Sequence, residues 1–191
     1  MEYTKIKKIH VAEAGTLSTL LPMEEAEQLE VLILSGYLNA KDFFDVLDDL
    51  CDFWGMEYDE DDNPIFDWDE TPNLRVLDMG DCELVDSTTL PEFGYYAPLD
   101  KIVLPKNLEY LVYESVIHES FLREIVLPQT MKSLDGISSC ERLEHIEIPE
   151  SVEVLGMYTL SGCRRTRQTL WGECTDANLK TVAKRYMIEK K

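Results

Sequence analysis

Apolar residues along this chain fall into one short pattern, apolar-x-x-apolar-x-apolar, that returns six times: Ile6-Ile9-Val11, Leu29-Leu32-Leu34, Leu74-Leu77-Met79, Leu99-Ile102-Leu104, Leu122-Ile125-Leu127 and Leu143-Ile146-Ile148. Successive starts are 23, 45, 25, 23 and 21 residues apart. The alternation inside each copy is that of a strand with one buried face. One such unit cannot bury its own apolar side, so the recurrence predicts strands laid side by side, with stacking supplying the core. The fold class expected is α/β: a leucine-rich-repeat solenoid with a short parallel sheet of about six strands and an irregular or helical convex side. Residues 1–191 read as a single domain: 1–73 as N-terminal repeats with a helical insertion and an acidic loop, 74–163 as the repeat core, and 164–191 as a divergent C-terminal cap.

Two kinds of turn follow the strands. The third copy continues to Cys82 and Leu84 and matches the longer consensus L-x-x-L-x-L-x-x-N/C-x-L, which puts Cys82 at a turn. The last three run into Pro105, Pro128 and Pro149, where the missing N–H ends a strand. Each proline is followed at equal offsets by an apolar pair, Leu108 and Leu111, Met131 and Leu134, Val152 and Leu155, so the returning segment also has a buried side. Ser138-Ser139-Cys140 and Ser161-Gly162-Cys163 then occupy equivalent turns. The five cysteines, Cys51, Cys82, Cys140, Cys163 and Cys174, are sparse and odd in number and form no CxxC pair. They read as buried ladder positions, not as a disulfide framework or a zinc site.

These residues resemble the BspA-like leucine-rich repeats of bacterial surface proteins, whose unit runs roughly L-x-x-I-x-I-P-x-x-V-x-x-I-G-x-x-A-F-x-G-C. Leu143 to Gly156, followed by Leu160-Ser161-Gly162-Cys163, is the nearest copy, with Leu160 where the family usually has Phe. Ala14 to Leu21 and Leu32 to Asn39 also resemble the N-terminal region of such proteins from gut Bacteroidetes. The resemblance covers roughly residues 6 to 163. It implies a cell-surface or secreted protein that adheres to other proteins. The opening MEYTKIKKIH, lacking the apolar stretch of a signal peptide, fits a cytoplasmic chain equally well.

Three segments break the pattern. Across Asn39 to Met56, Phe43, Phe44, Val46, Leu47 and Leu50 recur at helical spacing with acids between them, which predicts an amphipathic helix packed on the convex side. In the acidic stretch Glu57 to Glu70, residues Asp59, Asp61, Asn63, Asp67 and Glu70 fall at positions 1, 3, 5, 9 and 12 of an EF-hand loop. Position 6 of that template needs glycine for a sharp turn, and Pro64 stands there. The stretch therefore reads as a solvated loop joining helix to strand, with calcium the minor alternative. The tail reads as a cap, either a helix from Asp176 carrying Leu179, Val182, Ala183, Tyr186 and Met187 on one face, or a last strand begun by Leu179-x-x-Val182.

Charge narrows the partners. The net charge is −20, and eight of the 18 Lys and Arg lie from Cys163 onward with only three of the 38 Asp and Glu. The body is acidic and the tail basic, and the net negative charge disfavours nucleic acid and anionic membrane. No apolar run of eighteen residues exists to insert in a bilayer. His10, His118 and His145 fall in different copies, and no P-loop, GxGxxG, GxSxG or HExxH motif occurs. A non-enzymatic scaffold without cofactor or metal is expected.

The register also picks out the side chains facing outward on the concave side. One column reads Lys8, Val31, Val76, Lys101, Glu124, His145, and its neighbour reads His10, Ile33, Asp78, Val103, Val126, Glu147. Val31, Ile33, Val76, Val103 and Val126 would form an exposed apolar patch, which suggests contact with a protein or peptide. β-Branched residues equally suit any strand surface, which is the alternative account. The acidic charge favours a partner with a basic surface. A structural or self-assembly module, or an intracellular scaffold of the same fold, are the alternatives.

Overall fold

The computed structural model describes residues 2–51, 56–58, 64–66, 73–91, 99–112, 117–118, 121–138, 140–156, 159–160 and 163. In chain order the strands are β1 (Ile6–Val11), β2 (Val31–Leu38), β3 (Met56–Tyr58), β4 (Pro64–Phe66), β5 (Val76–Leu84), β6 (Lys101–Val103), β7 (Tyr110–Leu111), β8 (Ile117–His118), β9 (Glu124–Val126), β10 (Ser133–Leu134), β11 (Ile137–Ser138), β12 (His145–Ile146) and β13 (Val154–Leu155). The fold is α/β, with a mostly parallel sheet and few, short helices.

The principal sheet holds the motif strands in chain order, β1-β2-β5-β6-β9-β12, and every pair in it is parallel. Parallel neighbours put equivalent residues side by side, so Leu32, Leu77, Ile102, Ile125 and Ile146 form one continuous column on the core face. Leu29, Leu74, Leu99, Leu122 and Leu143, the first apolar residue of each copy after the first, are buried before their strands begin. The backbone repeats with them. The Lys5 carbonyl accepts N–H groups from Glu30 and Val31, that of Glu30 from Arg75 and Val76, that of Arg75 from Asp100 and Lys101, and that of Asp100 from Arg123 and Glu124.

The prolines work as the pattern predicts. The carbonyls of Pro105, Pro128 and Pro149 accept from Leu108, Met131 and Val152 at 3.1, 3.2 and 3.1 Å, three equivalent turns. The chain then contributes β7, β10 and β13 to a three-stranded parallel sheet, and β8 and β11 to a two-stranded one. Leu108, Leu111, Met131, Leu134, Val152 and Leu155 are buried, so each returning segment closes the core from a second side.

The first copy departs from the predicted register. Ile9 pairs with Leu34, not with Leu32, and Ile6 pairs with Val31. Ile6, expected to be buried like Leu29, is 52% exposed. A slip of two residues keeps every side chain on its face, so the apolar pattern cannot detect it. Lys7 therefore ends the Leu32 column, and its ammonium lies 2.6 Å from Glu25. The slip also brings Val11 opposite Gly36, which has φ +95°. A Cβ there would collide with the Val11 carbonyl.

Cys82 is not at a turn. β5 runs on to Leu84, and Ser35 to Leu38 pair with Asp81 to Leu84 beyond a bulge that adds one residue to β5 after Asp78. Gly80 sits in that bulge, where a Cβ would lie 2.9 Å from Val103 Cγ1. The close approach of β6 accounts for glycine at this position.

The predicted helix begins one residue after Asn39, whose side chain accepts from the Lys41 and Asp42 amides in a capping box. It runs through Ala40–Asp42, a π-helical turn Phe43–Leu47 and Asp48–Cys51. Phe43, Val46, Leu47 and Leu50 pack into the core, whereas Phe44, expected with them, is 59% exposed. Phe43, Val46, Leu47 and Leu50 already complete one i, i+3, i+4, i+7 stripe, and Phe44 falls a full residue step off it. Asp42 is the one buried charged side chain among the described residues, 1% exposed. Its carboxylate accepts from Gly15 N (2.7 Å), Leu17 N (2.9 Å) and Asn39 N (3.0 Å), tying the loop after β1 to the helix.

Asp42→Ala leaves those three N–H groups unmet and should lower stability by about 3 kcal/mol, read from the urea midpoint. Gly36→Ala should cost about 2 kcal/mol by the same measurement, through its positive φ and the Val11 carbonyl. An unmoved midpoint in either variant would contradict the role given to that residue.

Candidate functional site: the outer face of the parallel sheet

The pleat sends alternate residues of each strand away from the core, and the observed register decides which of them meet. Ile6, Val31, Val76, Lys101, Glu124 and His145 form one outer column, with Lys8, Ile33, Asp78, Val103 and Val126 beside it. The structure thus brings the predicted residues onto one face, but the two-residue slip of β1 changes their company. Lys8 stands beside Ile33, where His10 was expected, and His10 moves next to Ser35, its Nδ1 3.0 Å from the hydroxyl.

Several of these side chains are already engaged. Val31, expected to be exposed, is only 6% so. It is flanked by Ile6 on one side and Val76 on the other, and β-branched neighbours on a sheet cover each other. Ile33, Val76 and Val103 are half-buried, leaving Val126, at 38%, as the most open of the predicted valines. Lys101 and Glu124 are directly opposed, and the ammonium lies 2.9 Å from Glu124 Oε1. Asp78 accepts the Gly80 amide at 2.9 Å and so closes the bulge in β5. Glu147 is exposed just past β12. Of His145 the backbone alone is described.

One end of the face is hollowed. A depression of about 370 Å³ brings together Glu124, Val126, Gln129 and Glu147 over the edges of Ile125 and Ile146. It combines the open Val126 side chain with two carboxylates, of which Glu124 is already balanced by Lys101. Such a surface suits a side chain with an aliphatic stem and a cationic end.

A second recess was missed in the sequence. It measures about 550 Å³ and lies between the start of the helix and the loop after β5, with Phe44, Val85 and Leu90 among its walls. The signal that marks it is Phe44 itself, an apolar residue beyond an already complete helical stripe.

The other sequence candidates resolve plainly. Cys51, Cys82, Cys140 and Cys163 are buried thiols, as expected, though Cys51 lies in the helix and Cys82 within β5. Burial pushes the Cys82 thiol up to about 12, helped by the nearby Asp78 and Asp81 carboxylates. No group of metal-binding side chains is found among the described residues. Asp59, Asp61, Asn63, Asp67 and Glu70 lie outside the described residues, but β3 and β4 are an antiparallel pair with Tyr58 opposite Pro64. The stretch read as a loop therefore contains a short hairpin, and template positions 6 to 8 form one of its arms. The tail 164–191 and Cys174 also lie outside the described residues.

No protein-family model matches the chain, and a search of curated proteins returns no match.

The Cys82 thiol should resist a thiol reagent at pH 8 in the folded protein and react at once in denaturant, because thiolate, the reactive form, is suppressed by burial. Fast labelling of Cys82 without unfolding would show that the β2–β5 seam opens. Asp78→Ala should lower stability by about 1 kcal/mol, more than Lys101→Ala, whose exposed ion pair contributes a few tenths.

Proposed function

We propose that this chain is a short leucine-rich-repeat solenoid of the BspA-like type, a non-enzymatic scaffold that binds a protein or peptide on the outer face of its parallel sheet. The observation that carries the reading is periodic stacking: motif strands in chain order, with four successive steps joined by a carbonyl ahead of one strand that accepts two N–H groups at the start of the next. Repeats of this kind offer a broad, fixed face instead of a closed catalytic cleft.

The partner in this reading carries a basic surface. The net charge of −20 draws cations, and the depression beside β12 is lined by Val126 together with Glu124 and Glu147. The ionisable groups in the middle of the face are held by one another or by backbone, which supports adhesion over chemistry. No helix among the described residues is long and apolar enough to cross a membrane. A cell-surface or secreted setting is proposed on the resemblance in the repeats.

Peptides selected from a random display library against the immobilised chain should be rich in Lys and Arg. The Val103→Lys, Val126→Lys double variant should keep its melting temperature, since both side chains are partly open, and lose affinity for them by about tenfold or more. Selected peptides that bind the variant unchanged would move the site off this face.

A further inference from the structure

The recess beside the helix is a candidate binding site separate from the sheet face. Its walls come from two elements held in fixed positions. On one side, the Asn39 capping box and the buried Asp42 fasten the first helical turn. The π turn follows, closed by the Asp48 amide on the Phe43 carbonyl, and Phe44 stands in it, pointing away from the buried Phe43–Leu47 stripe. Single π turns recur at functional sites. On the other side, the last residue of β5 is clamped by the Asn107 amide, which accepts from Leu84 N at 2.8 Å and donates to Leu84 O at 2.9 Å. The loop that leaves this clamp carries Val85, 36% exposed, and Asp86 at φ +70°, a backbone conformation few non-glycine residues adopt.

Charge is distributed unevenly in this recess. Lys41 also lines it, but its ammonium lies 2.6 Å from Asp45 Oδ2 and 3.0 Å from the Gly15 carbonyl, so its charge is matched within the fold. Asp86 is exposed and makes no hydrogen bond or ion pair among the described residues. The recess therefore offers an open aromatic side chain, an apolar wall and one unmatched carboxylate, in a protein whose overall field attracts cations.

We propose that this recess is a docking site for an arginine side chain presented by an extended segment of a partner protein, its guanidinium stacked on Phe44 and bonded to the Asp86 carboxylate. Arginine satisfies both walls at once: its planar group stacks on an aromatic ring and presents a donor fork to a carboxylate, whereas lysine offers a point charge alone. The volume of about 550 Å³ accommodates that side chain and its flanking backbone. The site names a second contact for the protein-binding role and does not depend on the sheet face.

The test is an NMR titration of the full chain with a short blocked peptide bearing one central arginine among Gly and Ser, and with the same peptide carrying citrulline, lysine or glutamate there. The arginine peptide should shift the resonances of Phe44, Val85 and Leu90. Asp86→Asn, which keeps the left-handed backbone accessible, and Phe44→Ala, which removes an exposed ring, should each weaken it about tenfold without lowering the melting temperature. Phe44→Trp should retain binding, and citrulline, which is planar but uncharged, should bind the native chain as weakly as arginine binds Asp86→Asn. Equal affinity of the arginine and citrulline peptides, or unchanged affinity in Asp86→Asn, would overturn the proposal. Shifts confined to Val103 and Val126 would also overturn it while leaving the sheet-face reading intact. Unchanged binding to the Val103→Lys, Val126→Lys variant is the result expected if the two surfaces are separate.

Discussion

At four successive steps of the principal sheet, from β1 to β9, the carbonyl that precedes one strand accepts two amides at the start of the next, and that shared acceptor organises what surrounds it. It sets the register at the residue where the strand begins. The register in turn aligns Leu32, Leu77, Ile102, Ile125 and Ile146 into one column. No strand here is long enough to be stable alone; β6 and β9 have three residues each. Stability has to come from neighbours, and the neighbours are useful only when their apolar residues arrive level with one another.

Much of this was legible because burial and period coincide. Leu29, Leu74, Leu99, Leu122 and Leu143 stand at the same place in the last five copies and are buried together. Pro105, Pro128 and Pro149 marked three turns that the structure makes with the same hydrogen bond. What escaped were features with no period. The β1 slip is invisible to a pattern of period two. The extra residue after Asp78 is a single insertion in one strand, betrayed only by Gly80. The π turn adds a residue to one helical turn and leaves the apolar spacing of Phe43, Val46, Leu47 and Leu50 unaltered.

The candidate face was legible as a set of positions but not as a set of available groups. Which residues point outward follows from alternation. Whether an outward residue is open depends on who stands beside it in the next strand, and that is a matter of register. Val31 is closed by Ile6 and Val76, Lys101 is matched by Glu124, and Asp78 serves the backbone of its own bulge. The Lys101–Glu124 pair was present in the sequence as opposite charges 23 residues apart at the same place in two copies. Read across copies, the columns show such neutralisation where reading along the chain does not.

Sheet order in this protein is the order of synthesis. Each motif strand pairs only with the motif strands made immediately before and after it. As the chain leaves the ribosome from its N-terminus, β2 can settle against β1 and β5 against β2 while the rest is still unmade. A growing chain then exposes only the latest row of leucines to solvent instead of a whole unpaired core. The first strand closes the Leu32 column with Lys7, tied to Glu25, in place of an apolar residue. That gives the seed a finished outer end before the second row arrives.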